Sequence, residues 1–117
     1  MVTNIHTNTS ALDAFSKQVQ TSANNVANAL TDDFKASRTR NVEGTPNGVD
    51  TVTQKTSTPG PKIIDPTQTD NGTKELSNTD IAEEMTHQIN AQNGFDANAK
   101  VIKSQDEMVG TILDIVA

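Results

Sequence analysis

The side chains best suited to chemistry in this sequence are two histidines and two pairs of adjacent carboxylates. His87 lies four residues after Glu83, one helical turn away, so the two could share a metal ion. A structural metal site takes about four ligands, so a surface hydrogen bond explains this pair better. Asp32-Asp33 and Glu83-Glu84 are sequence neighbours, which point to different faces of a helix, so charge at helix ends accounts for them. His6 stands near a helix start and predicts a solvated side chain.

Known signatures of catalysis and cofactor binding are missing from the sequence. No segment matches GxxxxGK[ST], GxGxxG, GxSxG or HExxH, so phosphate cradles, nucleophile elbows and zincin sites have no support. The chain has no cysteine, which excludes disulfides and thiolate metal sites. We therefore predict a protein that is not an enzyme and that uses no cofactor, metal or small-molecule substrate.

Three asparagines lie within five positions of the stretch SANNVANALTDDFKASRT, which covers residues 22–39. Asparagine is unfavourable inside a helix because its amide competes for backbone partners. We expect the amides of Asn24, Asn25 and Asn28 to have particular groups to bond.

The composition limits both the core and the partners of this chain. Only 32% of its 117 residues are hydrophobic and 3% aromatic, while Ser, Thr, Asn and Gln supply 43 residues. That is too little apolar bulk for a large core within one small domain. The net charge of −6, with nine scattered Lys and Arg, disfavours nucleic acids and anionic membranes. The chain must be largely solvated or complete its core with partners.

Hydropathy gives no sign of a membrane span or of a cleaved secretory signal. No apolar run approaches the roughly 18 residues of a membrane-spanning helix. The start, MVTNIHTNTS, lacks a basic region followed by an apolar one. This pattern predicts a cytoplasmic protein, although a chain exported by a dedicated machine with its N-terminus intact would look the same.

The first segment has the period of an amphipathic helix. Its apolar residues recur every seven positions, with others in the intermediate turns: Ile5, Leu12, Val19 and Val26, then Phe15, Ala23 and Leu30. Neither Pro nor Gly interrupts residues 2–43. The pattern predicts a helix over about residues 3–30, roughly 40 Å long at about 1.5 Å per residue.

The last segment predicts a second, longer helix. Asn78, Thr79 or Asp80 can cap it, and Asp80 with Glu83 has capping-box spacing. One seven-residue register carries Ile81, Phe95, Ile102, Val109 and Val116, reinforced by Met85, Ala99 and Leu113. Polar Gln88, Gln92 and Asp106 interrupt this seam. Gly94 and Gly110 each weaken the helix by roughly 1 kcal/mol relative to Ala unless close packing needs the space.

The middle of the chain differs from both ends. All four prolines and four of the six glycines fall between Glu43 and Lys74, in Thr-rich sequence. Val and Thr suit a short β-hairpin around VDTVTQKT, but an extended or mobile loop that buries little fits the composition better. Ile63 and Ile64 form a small apolar patch that could anchor it to a neighbour.

The predicted fold class is therefore mainly α. Long N- and C-terminal amphipathic helices pack as a coiled-coil-like pair, joined by a short irregular loop in which a β-hairpin is the alternative. The expected divisions are an N-terminal helical segment (1–40), a polar connector (41–77) and a C-terminal helix (78–117).

Two functional classes fit such a pattern. In one, the stripes form a self-contained helical hairpin, a cytoplasmic adaptor that binds a partner helix. In the other, each helix is surrounded on several sides by other chains, and its amides bond across interfaces. The sequence pattern of two apolar stripes separated by a polar segment fits both classes.

The asparagine stretch adds a family resemblance. Ala23-Asn24-Asn25-Val26-Ala27-Asn28, followed by Thr31 and Phe34-Lys35, resembles the N-terminal signature of the bacterial flagellar axial family, which includes rod, hook and hook-associated proteins. Asp33 stands where the family usually has Gly. Gly permits positive φ cheaply and Asp less so, and the sequence therefore does not fix the geometry of this turn.

The C-terminal segment resembles the other signature of the same family. Asp80-Ile81-Ala82-Glu83-Glu84-Met85 matches its beginning, and Ile89, Ala91-Gln92, Phe95, Asn98-Ala99, Ile102-Lys103 and Asp106-Glu107-Met108 follow its pattern. Asn93 replaces the Arg that the family usually carries after Ala-Gln. The two signatures span roughly two-thirds of the chain and stand in the correct order, so together they are far more specific than either alone.

The resemblance implies a structural subunit of the flagellar basal-body rod. Such subunits are exported without signal cleavage by the flagellar type III apparatus and assemble with themselves and other axial subunits around a channel in the periplasm. The interval 40–74 is too short for the large inserts of hook and distal-rod proteins, which favours a small proximal-rod type. The expected subunit-interface residues are Ile5, Leu12, Phe15, Val19, Asn24, Asn25, Val26, Asn28, Phe34, Ile81, Met85, Phe95, Ile102, Val109 and Leu113.

Overall fold

A computed structural model describes residues 2–67 and 72–117, with side chains from residue 5 onward. Position 1 of the expected N-terminal segment and positions 68–71 of the expected connector lie outside the described residues. Six elements follow one another: α1 (Val2–Ala27), β1 (Ser37–Gly44), β2 (Gly48–Lys55), β3 (Lys62–Ile64), β4 (Thr73–Glu75) and α2 (Ile81–Val116).

The two long helices lie side by side in opposite directions. The Asn8 amide near the start of α1 donates to the side chain of Gln105 near the end of α2, at 3.3 Å. Ser22, near the end of α1, donates to the carbonyl of Glu84 at the start of α2, at 3.0 Å. The molecule measures 78 × 25 × 15 Å, and its radius of gyration is 20.7 Å, against about 13 Å for a compact chain of this length. The expectation of paired terminal helices is confirmed.

The connector is more regular than the irregular loop that the composition favoured. Strands β1 and β2 form an antiparallel hairpin paired from Ser37↔Lys55 to Gly44↔Gly48, and β3 pairs with β4 in a second, smaller hairpin. The preference for a loop was therefore wrong, and the alternative of a hairpin around residues 49–56 is confirmed.

Contacts with α1 explain why the first hairpin is ordered. The Ser10 hydroxyl accepts from the backbone N–H of Val49 at 3.0 Å. Gln18 donates to Asn41 at 2.7 Å, and Thr39 donates to Thr21 at 2.7 Å. The hairpin thus covers the polar face of α1 through hydrogen bonds. A hydropathy pattern cannot reveal such a contact, because it reports only apolar faces.

The buried centre of the protein is small and largely polar. Among the described residues, the buried hydrophobic residues are all alanines, namely Ala14, Ala36 and Ala91. The buried polar residues are Ser22, Asn25, Ser77 and Glu84. No large apolar side chain in the described part of the chain is fully buried. This small buried centre agrees with the expectation that the chain has too little apolar bulk for a large core.

The apolar register of α2 does not form a single seam against α1. Ile102 and Val109 are half-buried, whereas Met85 is 56% exposed and Leu113 63% exposed; Ile81 and Phe95 are also exposed. Small residues occupy the close approach instead: Ala91 is buried, and a Cβ at Gly94 would stand 2.5 Å from the Phe15 ring. The single-stripe expectation was wrong because small residues let the helices pack on a different face.

The helix ends differ from their sequence-based bounds in one place. Asp80 caps α2, its carboxylate accepting from the N–H groups of Ala82 at 2.9 Å and Glu83 at 3.3 Å. Helix α1 ends at Ala27 rather than near Leu30, which is 95% exposed. Asp33 adopts φ 56°, the left-handed conformation that glycine adopts most easily. Asp33 therefore keeps a glycine-like turn after the helix.

Candidate assembly interface

One buried asparagine holds three elements together at the start of α2. The Asn25 amide nitrogen donates to the carbonyl of Ser37 at 2.8 Å and to the carboxylate of Glu84 at 3.0 Å. Its oxygen accepts from the N–H of Ser37 at 2.8 Å. The side chain therefore pairs with both backbone groups of the first residue of β1, as a neighbouring strand would, while also reaching α2.

Glu84 is the second centre of this arrangement. Its carboxylate is 1% exposed and accepts hydrogen bonds from Asn25 and from the guanidinium of Arg38. A second Arg38 nitrogen lies 2.8 Å from the carboxylate of the neighbouring Glu83. A buried carboxylate is costly unless it is paired and hydrogen-bonded, and Arg38 with Asn25 meets both conditions. We call Ser22, Asn25, Ser37, Arg38 and Glu84 the polar joint.

A second asparagine fastens the connector beside the polar joint. Asn78 accepts from the N–H of Ala36 at 2.6 Å, and its amide donates to the carbonyl of Thr58 at 2.8 Å. Its own N–H donates to the carbonyl of Phe34 at 3.3 Å. Asn78 was one of three candidates for the cap of α2, but its side chain instead ties the segment after α1 to the segment between the two hairpins.

The three asparagines of the helical signature, Asn24, Asn25 and Asn28, have different environments. Asn25 is 0% exposed, so its hydrogen bonds lie inside its own chain, contrary to the expectation that these amides bond across subunits. Asn28 donates back to the Asn24 carbonyl at 3.0 Å and accepts from the Thr31 hydroxyl at 3.2 Å, so it closes the end of α1. Asn24 has an exposed side chain.

The remaining interface candidates fall into two groups. Half-buried side chains in the single chain are Leu12, Phe15, Val19, Val26, Phe34, Ile102 and Val109. Exposed ones are Ile5, Ile81, Met85, Phe95 and Leu113. The structure therefore does not bring all candidates together: the first group mostly packs within the chain, and the second faces outward.

Helix α2 presents two apolar rows to the outside. The first row contains Ile81, Met85 and Ile89, at intervals of four residues, each 48–59% exposed. The second row contains Val101, Met108 and Ile112, each 45–54% exposed. At 3.6 residues per turn the two rows lie on opposite flanks of the face turned to α1. In the single chain these six apolar side chains are left about half uncovered.

Charge pairs stabilise the connector rather than create a reactive group. The pKa of the Glu75 carboxyl lies below its usual value, chiefly because of the hydrogen bond from the Lys35 ammonium. The hydrogen bond from the Gly60 N–H is the second cause. The hydrogen bond to Asp32, at 2.6 Å, raises the pKa of Lys74. Both pairs link the turn after α1 to strand β4.

The chemistry-bearing residues do not converge on an active site. His87 lies 3.5 Å from Glu83 on an exposed surface. A cleft of about 140 Å³ opens beside the polar joint, but each buried polar side-chain atom in the described ranges has a hydrogen-bond partner. Within the residues that the structure covers, no three metal-ligating side chains cluster, and no helix is both long and apolar enough to cross a membrane.

The sequence reading missed Arg38 and Glu84 as partners of the asparagines. Glu84 was assigned to helix-end charge, and Arg38 was passed over. The signal that could have found Glu84 was its place in an otherwise amphipathic helix, on the same face as Gln88 and Ala91. Nothing in the spacing identifies Arg38, because its distance from Glu84 depends on the fold of the connector.

The described architecture is two long antiparallel helices joined by two hairpins, with a polar joint inside and uncovered apolar rows outside. Comparison with known proteins identifies the family. The family model described as "Flagella basal body rod protein" matches residues 5–35, and the model described as "Flagellar basal body rod FlgEFG protein C-terminal" matches residues 71–115. The chain belongs to the flagellar axial family of rod and hook proteins.

Similar curated proteins are flagellar hook proteins. The hook protein FlgE of Treponema pallidum is 43% identical over 44 residues, which are 38% of this chain and 10% of that protein. FlgE of Escherichia coli K12 is 38% identical over 45 residues, covering 38% of this chain and 11% of the relative. FlgE of Salmonella typhimurium gives the same values. The matched region thus spans about a tenth of the length of these relatives.

Proposed function

We propose that this protein is a structural subunit of the flagellar basal-body rod that polymerises through its terminal helices around an export channel. The observation that carries the proposal is the apolar surface of α2, where Met85 and Ile89 are more than half exposed. The described part of the chain buries only alanines as hydrophobic residues, so neighbouring subunits must supply the missing burial.

Burial of these side chains contributes part of the free energy of assembly. Fully burying a Leu, Ile, Val or Met side chain contributes roughly 1.5–3 kcal/mol, so covering a half-exposed one contributes about 1 kcal/mol. The two rows of α2 together then supply on the order of 6 kcal/mol per subunit, before the entropic cost of association. Repeated along a polymer in which each subunit has several neighbours, this gain favours the assembled state.

The distribution of these surfaces supports open helical growth. The two rows lie on opposite flanks of α2, and the first hairpin is hydrogen-bonded to α1, so the exposed surfaces of the chain differ from one another in position and chemistry. Surfaces that are not self-complementary form heterologous contacts, which build rings or helical filaments rather than closed dimers. A rod is one such filament.

In this proposal, segments 1–40 and 78–117 supply the assembly helices and segment 41–77 connects them. The proposed interface consists of the exposed and half-buried candidates described above. Asn25 is buried and contributes indirectly, by holding the elements of its own subunit together. The partners are further copies, other axial subunits and the flagellar type III export apparatus. Export proceeds without signal cleavage, and the assembled rod lies in the periplasm.

The short connector supports a rod position over a hook position. The described residues between the long helices form two small hairpins, whereas hook and distal-rod members of the family carry large β-rich inserts. A hook role is the second candidate, because the similar curated proteins named above are hook proteins. Immunogold labelling of isolated basal bodies separates the two: a rod subunit labels between the membranes and a hook subunit outside the cell.

Replacing an outward-facing apolar side chain tests the proposal. We expect Ile89→Asp to abolish incorporation into basal bodies while leaving the helical content of the isolated chain unchanged, because Ile89 is 59% exposed in the single chain. Thr53→Ala in the exposed connector is the control and should assemble normally. The readout is the amount of the chain in purified basal bodies, set against its total amount in the cell.

The alternative, a cytoplasmic adaptor, predicts a different result for the same variant. An adaptor would remain in the cytoplasm, bound to one partner helix, and would be absent from basal bodies even as wild type. Normal incorporation of Ile89→Asp would likewise contradict the assembly surface proposed for α2.

A further inference from the structure

A groove between the two long helices is open to solvent at mid-length of the molecule. Its lining includes the apolar side chains of Val19 in α1 and Phe95 in α2, together with polar residues, among them Gln20, Gln92 and Asp96. Its volume is about 530 Å³. The Phe95 side chain is 40% exposed there, so the groove offers apolar contact area that the single chain leaves uncovered.

Strand β3 is a second surface of the same chain that exposes apolar side chains. Strand β3 consists of Lys62, Ile63 and Ile64, and all three are exposed, Ile64 to 84%. The strand pairs with β4 in a sheet of two strands, so one of its edges carries no strand partner in the described part of the chain. Two adjacent exposed isoleucines beside a lysine are an unusual feature on an otherwise polar connector.

The two surfaces carry opposite charges. Asp96 beside the groove and Lys62 at the start of β3 are among the charged residues that form no ion pair with any described residue, although Lys62, opposite Glu75 in the strand pair, helps to lower the pKa of that carboxyl. Asp13, by contrast, is paired with Lys17, and Asp32 with Lys74. An exposed cation beside apolar residues and an exposed anion beside an apolar groove are the elements of an electrostatically complementary contact.

We propose that β3 of one subunit docks into the groove of a second copy, with Ile64 against Val19 and Phe95 and Lys62 paired with Asp96. This inference rests on the proposed function and names one contact of the polymer. The two surfaces are different parts of the chain, so each copy can give its β3 to one neighbour and receive β3 from another. The contact is heterologous and propagates.

A charge-reversal cycle tests this contact. Lys62→Glu and Asp96→Lys each place like charges together, so we expect each to weaken self-association of the purified chain about fivefold. The double variant restores opposite charges in exchanged positions and should return to within about twofold of wild type. Lys55→Glu is the matched control, because Lys55 is also an exposed, unpaired strand lysine but has no exposed isoleucine beside it.

Sedimentation velocity over a range of concentrations measures the association in each case. Single variants that associate like wild type, or a double variant no better than either single one, would overturn the inference. A wild-type chain that stays monomeric at every concentration would do so as well.

A cross-link locates the contact directly, because the chain has no cysteine of its own. Ile64→Cys and Gln92→Cys are made as two separate variants, one of them carrying a size tag, and are mixed and oxidised. We expect a disulfide heterodimer on a non-reducing gel, in excess over either homodimer. The control pair, Lys55→Cys with Gln92→Cys, should give no such excess. An equal yield from both pairs would refute the docking.

The inference and the proposed function can fail separately. If Ile89→Asp blocks incorporation into basal bodies but charge reversal at Lys62 does not weaken association, the chain is an axial subunit that uses another contact. If neither variant has an effect, the assembly surface of α2 is also wrong.

Discussion

At the scale of single residues, Asn25 connects α1, β1 and α2 through one side chain. A carboxamide suits this position because it offers a donor and an acceptor to the backbone of Ser37, with a second donor hydrogen for Glu84. Aspartate has no donor when ionised and would face another carboxylate. The polar residue in the middle of the helical signature is therefore explained by hydrogen bonding within the chain.

We expect Asn25→Ala to lower the free energy of unfolding by about 2–4 kcal/mol, because it leaves buried groups of Ser37 and Glu84 without a partner. Asn24→Ala is the matched control. It lies next in sequence on the same helix with an exposed side chain, so its effect should stay within about 0.5 kcal/mol. Urea unfolding of both variants measures the difference, and equal effects would remove the special role of Asn25.

The two glycines of α2 give a second comparison at this scale. A Cβ at Gly94 would stand 2.5 Å from the Phe15 ring, whereas a Cβ at Gly110 would meet nothing within 4 Å. We expect Gly94→Ala to destabilise the chain by about 1–3 kcal/mol through overpacking. Gly110→Ala should stabilise it by about 0.5–1 kcal/mol, because Ala is the better helix former. Denaturant midpoints give the signs, and a stabilising Gly94→Ala would contradict the close packing described.

At the scale of elements, the connector is ordered by bonds to α1 and by ion pairs rather than by apolar packing. The Thr-rich strands β1 and β2 meet the Ser, Thr and Gln side chains of α1. The second hairpin is held through Glu75, which accepts from Lys35 and from the Gly60 N–H. The stability of the connector should therefore depend more on pH than on the burial of apolar side chains.

Glu75 gives the direction of that response. Its pKa in the folded chain lies below the ordinary value of 4.5, chiefly because of the Lys35 ammonium. A lowered carboxyl pKa means that the unfolded chain binds the proton more readily, so the stabilisation is complete above pH 4.5 and is lost as the pH falls through the folded pKa. We expect Glu75→Gln to flatten the acid limb of the stability profile.

The control for this pH effect is Glu43→Gln, since Glu43 is an exposed strand residue for which the structure gives no ion pair with a described residue. Chemical unfolding measured from neutral to acidic pH supplies both profiles. If Glu43→Gln changes the acid limb as much as Glu75→Gln does, the pairing of Lys35 with Glu75 contributes nothing particular.

At the scale of the whole molecule, the long narrow shape follows from the small buried centre. A chain that buries only alanines among its described hydrophobic residues gains little from folding alone, and long helices draw most of their stability from packing. In the proposed function, further subunits cover the exposed rows of α2 and the groove at Phe95. Stability and assembly are coupled by mass action.

Circular dichroism of the purified chain, with a thermal melt, measures this coupling. We expect a broad melt at low protein concentration, and helicity and melting temperature that rise with concentration, because binding of further copies stabilises the folded form. A sharp, concentration-independent melt of a highly helical monomer would instead support the self-contained hairpin of the adaptor alternative, although it would leave the family membership untouched.

Local periodicity and composition, which the sequence carries residue by residue, determined much of this protein. They were sufficient to predict two long terminal helices, the Asp80 cap, the lack of a large core and the axial family signatures, because each depends on residues close together in the chain. The same signals put Asn25 among the residues of interest without naming its partners.

Only the tertiary structure decided which groups meet across long separations. Asn25 reaches Glu84 over 59 positions, and Arg38 reaches it over 46. The face of α2 that meets α1 was set by the fit of Phe15 over Gly94 and not by the apolar register. The connector became two hairpins because α1 supplies hydroxyl and amide partners for the first of them and Glu75 binds the second. Hydrogen bonding and steric fit between distant residues depend on how the chain folds back, which no short window of sequence contains.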